Sequence, residues 1–253
     1  MIVSDPKKEE SSGHWYTREG EAAYQVLGKN GKWRNTTLKD ARNLNLVPSV
    51  TTILKIVDKP GLTNWLIDQA ILASLTLPKK DNEIEDEYLA RIKQDAKQQG
   101  LSAANLGTSI HEAIENFYEG RDVPQYLEHA QGCKHELDAF FGVKKWVSER
   151  AFGHELGFGG KVDMHTDNIV VDIKTKDFTD PSKVAAYFDE HLLQLAAYRV
   201  GLGMPDARCA NIFVSRTIPG LCKIVEWDAA DLNRGWSMFL HLLRYWQLKT
   251  GYE

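Results

Sequence analysis

The chain has 253 residues, 43% of them hydrophobic and 26% charged, with 31 basic and 35 acidic side chains and a formal net charge of −4. That length and balance suit a globular protein with a good core, built as one domain or two small ones. They exclude a membrane-spanning helix, because no run of about 18 apolar residues occurs. They also count against a broad grip on duplex DNA, which favours basic surfaces, while leaving room for a narrow basic channel in an acidic shell.

The N-terminus, MIVSDPKKEESSG, is polar and charged, unlike a secretory signal, so a cytoplasmic protein is expected. Residues 1–14 read as a disordered tail and 15–253 as a single domain. Within it, 15–47 form a hairpin region, 48–141 a helical portion and 142–253 an α/β core. Tyr24–Leu27 and Trp33–Leu38 flank GKNGK, where Asn30-Gly31 signals a hairpin. Pro48-Ser49 opens a short helix, with Ser49 or Thr51 as N-cap, which stops near Lys59-Pro60-Gly61. Thr63 caps the next helix, to about Leu75. Asp81 and Asn82 cap a third, polar nearly all round, to about Gln99; Gly100 ends it. A further helix covers Ser102 to about Tyr118, with Ile110, Ala113, Ile114 and Phe117 on one face and His111 beside them. Glu115, four residues on, shares the side of His111.

Gly120–Pro124 is a loop and Tyr126–Phe141 a helix. Lys145–His154 starts the sheet and carries Glu149; Glu155 falls in the turn after it. Asp180-Pro181-Ser182 caps a helical stretch through Gly201 that puts Gln194 and Tyr198 on one face. Cys209–Ser215 and Lys223–Trp227 are strands, with Arg216 at the end of the first. Leu232–Leu248 is an amphipathic closing helix. This order predicts an α/β core with a mixed sheet flanked by helices. The three cysteines, Cys133, Cys209 and Cys222, are far apart and form no CxxC, so they read as reduced structural thiols.

Chemistry gathers in Gly159–Lys176, two strands joined by Thr166-Asp167-Asn168. Asp172 and Lys174 alternate with Val171 and Ile173, so the two charges share one face and the two aliphatics enter a core. Pairing of the strands brings Asp163 near that face. Two carboxylates and an ammonium then converge, a set suited to Mg²⁺ or Mn²⁺ with Lys174 on a phosphate oxygen or a water. The same charges also fit a solvated hairpin face whose members pair with one another.

Asp163 with Asp172-Ile173-Lys174 resembles the PD-(D/E)xK nuclease signature. Gly107-Thr108-Ser109-Ile110-His111 resembles the GTxxH motif of RecB-like nucleases, and Gln194–Tyr198 resembles their QxxxY motif. Pro48–Leu54, PSVTTIL, is similar to a segment found in the mitochondrial genome maintenance exonuclease group and its phage relatives. The resemblance spans about Pro48–Gly201. It implies a restriction-endonuclease-like core and a metal-dependent exonuclease acting on single-stranded DNA with a free end. It also implies one or two Mg²⁺ or Mn²⁺ held by His111, Asp163, Asp172 and the Ile173 carbonyl, supported by Glu149 or Glu155. Lys174 is then catalytic, and Gln194, Tyr198, Ser49, Thr51 and Lys176 bind substrate. Helices around Ser49–Trp65 help form a passage, and Trp65 and Tyr118 are stacking candidates or core residues. Relatives with an iron–sulfur cluster hold it on four cysteines, so none is expected here. A monomer is expected, as is phage-type DNA processing, recombination or repair. A site-specific endonuclease and a non-catalytic DNA-binding protein with a nuclease-like core are the alternatives.

Overall fold

The computed structural model describes residues 13–186 and 188–253. The expected disordered tail lies outside them up to residue 12. Its last residue is held in place: the His14 backbone N–H donates to Thr52 Oγ1 at 3.1 Å, and its carbonyl accepts from Ser49 N at 2.8 Å.

Strand β1 (Trp15–Tyr16) pairs antiparallel with β4 (Val47–Pro48). Between them, β2 (Gln25–Leu27) and β3 (Trp33–Asn35) form the expected hairpin, with Gly31 at φ 73° in its turn. The chain does not stay extended to Leu38, which opens helix α1 (Leu38–Leu44). Thr37 caps it in a reciprocal box with Asp40, and Asp40 also takes a bidentate bond from Arg34. Ser49 caps α2 (Val50–Ile53), accepting from Thr52 N at 3.0 Å. A 3₁₀ turn ends this segment at Ile56, short of Lys59.

Several helix boundaries differ from expectation. Helix α3 (Pro60–Thr76) starts at Pro60 rather than being capped by Thr63, because proline at the first helical position has its φ preset and lacks only an N–H with no helical partner. Helix α4 (Glu85–Tyr118) is one helix of 34 residues, with Ile84 rather than Asp81 or Asn82 at its N-cap. It runs through Gly100, since an interior glycine costs only about 1 kcal/mol. A Cβ at Gly100 would stand 3.6 Å from the Trp65 ring, an ordinary packing distance, so α3 lies alongside α4 at this point. Asp180 caps only a 3₁₀ turn (Pro181–Lys183), accepting from Ser182 N at 3.0 Å. The backbone leaves helical geometry at Val184, and Lys176 Nζ donates to the Ala185 carbonyl at 2.7 Å. Helical structure resumes as a π turn at 188–192 that runs into α6 (Leu193–Gly201).

Helix α5 (Leu127–Phe141) precedes a five-stranded sheet of β5 (Val147–His154), β6 (Phe158–His165), β7 (Ile169–Lys176), β8 (Arg208–Ser215) and β9 (Cys222–Trp227), paired in that order. All neighbours are antiparallel except β7 and β8, whose parallel pairing requires the crossover that carries α6. Helix α7 (Ala229–Thr250), capped by Asp228, closes the chain. On one face, Val171, Ile173, Ala210 and Ile212 pack with Ile110 and Ile114 of α4 and Cys133 and Leu137 of α5. On the other, Phe158, Val170 and Cys209 pack with Leu195 and Ala196 of α6, Phe239 and Leu243 of α7, and Val50 and Ile53 of α2. The fold is therefore α/β, a mixed sheet flanked by helices. All three cysteines are free thiols buried in these layers. Among the described residues no helix is long and apolar enough to cross a membrane.

Candidate active site

The site is made where β6 and β7 part. Their antiparallel pairing covers only Met164↔Val171 and His165↔Val170. Beyond it, Asp163 Oδ2 accepts the Ile173 N–H at 2.7 Å, replacing the carbonyl that the ladder no longer provides. The splayed ends open a cleft of about 830 Å³, lined by Asp163, Asp172, Lys174, Gln194, His111 and Glu149, among others.

Asp172 is 1% exposed. Its carboxylate takes Lys174 Nζ at 2.8 Å and 2.7 Å through its two oxygens, and Asn211 Nδ2 donates to Oδ2 at 2.8 Å. Asn211 stands opposite Asp172 in the parallel β7–β8 register, and its own oxygen accepts from Trp227 Nε1 at 2.8 Å. Lys174 also donates to Gln194 Oε1 at 3.0 Å, and Gln194 Nε2 donates to the Tyr198 hydroxyl at 2.9 Å. One hydrogen-bonded line thus runs from Trp227 on β9 to Tyr198 on α6, with the Asp172–Lys174 pair at its centre.

Burial pushes the Asp172 carboxyl above its usual range; Lys174 opposes this and the nearby Asp163 adds to it. Burial alone would lower Lys174, but Asp172 and Asp163 together outweigh it and hold the ammonium above its ordinary value. His191, in the π turn, is lowered to about 4, by burial first and by Lys174 next.

Two contacts bring α4 to the sheet. A Cβ at Gly107 would stand 2.5 Å from Thr175 Oγ1, so glycine allows this approach with Thr175 in its present rotamer. Arg216 donates to the Ala103 carbonyl at 3.0 Å while forming a bidentate pair with Asp177. One turn after Gly107, His111 reaches the cleft. Glu149 has φ 56°, a strained conformation for a residue other than glycine, at the position facing Asp163 that the β5–β6 ladder skips. It lines the cleft and pairs with Lys161. Glu155 is in the β5–β6 turn, away from the cleft lining.

Other expected residues take different places. Ser49 is occupied as the α2 cap, bonded also to Thr51 and Thr52, and neither Ser49 nor Thr51 lines the cleft. Tyr198 is buried behind Gln194, so it braces that residue instead of reaching the cleft surface. Glu115 lines the cleft but pairs with Arg121. Lys176 lines a neighbouring groove, and Tyr118 packs edge-on to Phe117 at the core. Asn211 and Trp227 were not legible as site residues, because only the strand register brings them to Asp172.

The donors suit a hard divalent cation in kind: carboxylate and carbonyl oxygens with one imidazole. The cations of the cleft already have carboxylate partners, in Arg121 with Glu115, Lys161 with Glu149, Lys174 with Asp172 and Arg216 with Asp177. Asp163 Oδ2 is bonded to a backbone N–H, and its charge also acts on the Lys174 ammonium. Among the described residues, no three His, Cys, Asp or Glu side chains are gathered tightly enough to hold a metal as they stand.

The sequence matches no family model and no curated protein. Among solved structures, a chain titled "Crystal structure of SSO0001" aligns over 72% of this chain and 86% of its own, at 18% identity and a TM-score of 0.32. A score that low carries no argument about this chain.

Proposed function

We propose that the cleft hydrolyses phosphodiester bonds of single-stranded DNA from a free end, on a PD-(D/E)xK core, with Mg²⁺ or Mn²⁺ as cofactor. The observation that carries this reading is the meeting of Asp163, Asp172 and Lys174 where β6 and β7 part, with Lys174 fixed between Asp172 and Gln194. The order of the GTxxH-like, D…DIK and QxxxY-like motifs supports it.

Asp163, Asp172, His111 and the Ile173 carbonyl would hold the ion, with Glu149 beside them. Bound there, it would supply an acidified water and neutralise charge at the scissile phosphate. Asn211 keeps the Asp172 carboxylate from turning away. Lys174, held charged by the two acids, orients the attacking water or a phosphate oxygen. Gln194 fixes the Lys174 ammonium, and Tyr198 fixes Gln194.

Digestion of end-labelled and end-blocked oligonucleotides, with and without Mg²⁺, tests the reading. Hydrolysis should require both the ion and a free terminus, and closed single-stranded circles should resist. Rapid cutting of closed circles would make the protein an endonuclease. No hydrolysis with either ion would make it a binding protein on a nuclease-like core.

A further inference from the structure

Beside the cleft lies a larger groove of about 1130 Å³, bounded by α3, the middle of α4 and the far end of β7. Ala103, Ala104, Lys174, Thr175 and Arg216 line both spaces, so a chain molecule held at Lys174 can continue into the groove.

The walls of the groove differ in kind. The α3 wall is apolar, with Leu62, Trp65 and Leu66. Lys55, Lys93, Lys97, Lys176 and Arg216 line the rest, against Asp177 and Glu190. This excess of cations is local, since the whole chain carries −4. Trp65 is only partly buried, with its ring beside Gly100 of α4. An aromatic and apolar wall facing a row of cations matches an unpaired nucleic-acid strand, with bases on one side and phosphates on the other.

We propose that this groove binds the strand on one side of the scissile phosphate, and that Trp65 is the stacking platform that makes the protein select unpaired bases. Bases lie against Trp65, Leu62 and Leu66, and phosphates face Lys93 and Lys97. In a duplex the base faces are hidden within the stack, so Trp65 has nothing to engage. The proposal rests on the hydrolase reading only for what happens to the strand at Lys174; binding in the groove is measurable without hydrolysis.

The test is fluorescence anisotropy of a labelled oligothymidylate of about 15 nucleotides, in EDTA so that no metal-dependent cutting occurs. Trp65→Ala should weaken binding about tenfold to a hundredfold, the range expected for one lost base stack. Trp65→Phe should recover most of it, and Lys93→Gln should reduce the salt dependence. Binding of a duplex of the same length should not respond to Trp65→Ala. The melting temperature of Trp65→Ala should stay near that of the wild type, which reports on the fold. Equal strand affinity in wild type and Trp65→Ala overturns the groove assignment, as does absence of strand binding by the wild type. Strand binding that depends on Trp65, without hydrolysis of any ester, leaves the groove standing and removes the hydrolase reading.

Discussion

Asp163 accepts the Ile173 backbone N–H at 2.7 Å just where the β6–β7 ladder stops. The first acid of the site is therefore also a strut for the strand that carries the second. Its two tasks separate by substitution. Asp163→Asn keeps an oxygen acceptor for Ile173 and should leave the melting temperature near wild type while removing Mg²⁺-dependent digestion. Asp163→Ala leaves that N–H without its partner and should cost about 1–3 kcal/mol in denaturant unfolding as well. Equal stability of the two variants would contradict the strut.

Lys174→Met should lower the hydrolysis rate by about 10²–10³ at saturating Mg²⁺, by analogy with loss of one transition-state donor. It should also change the pH dependence of stability. Asp172 is raised in the folded state, while in the unfolded chain it ionises near about 3.9. The folded state thus keeps this proton to higher pH than the unfolded state, and stability falls as pH rises from there to the raised folded value. Lys174 opposes the shift. Its own raised value means that its contribution is present at neutral pH and is lost only above about 10.4. Without the ammonium the folded value should rise further and the decline should extend to higher pH, which thermal melts between about pH 4 and pH 8 would detect. Parallel curves for variant and wild type would contradict a buried, lysine-compensated carboxylate.

His111 lines the cleft from α4, on the helix turn after the Gly107 contact. His111→Ala should weaken Mg²⁺-dependent activity with little change in melting temperature. If melting collapses and activity tracks only the folded fraction, His111 serves the core.

A steric prediction concerns the approach of α4 to β7. Gly107→Ala places a methyl 2.5 Å from Thr175 Oγ1 and should destabilise by about 1–3 kcal/mol, as overpacking does. Adding Thr175→Ala removes that atom and should restore most of the loss. An additive double variant in denaturant unfolding would show that the contact is not the cause.

The central hairpin was legible because period-two alternation divides Asp172 and Lys174 from Val171 and Ile173, and the structure buries both aliphatics in one core layer. The convergence of Asp163 with that face followed from the same pairing. Helix ends were less legible where a local signal competed with packing. Gly100 reads as a stop, yet α4 continues through it beside Trp65. Asn211 and Trp227 carried no signal, because a parallel register across the α6 crossover is not written locally. Ser49 and Thr51 show the converse, a motif-like segment whose hydroxyls are spent on a helix cap.

The central claim is that this cleft hydrolyses phosphodiesters through its paired acids. The direct measurement is release of label from linear single-stranded DNA with Mg²⁺, by wild type and by Asp172→Asn purified side by side. Asn keeps the size of the side chain at a buried position bonded to Asn211 and Lys174. The account predicts Mg²⁺-dependent release by the wild type that EDTA abolishes, and loss of release in a folded Asp172→Asn. Equal release by both proteins, or none by a folded, metal-supplied wild type, would contradict it.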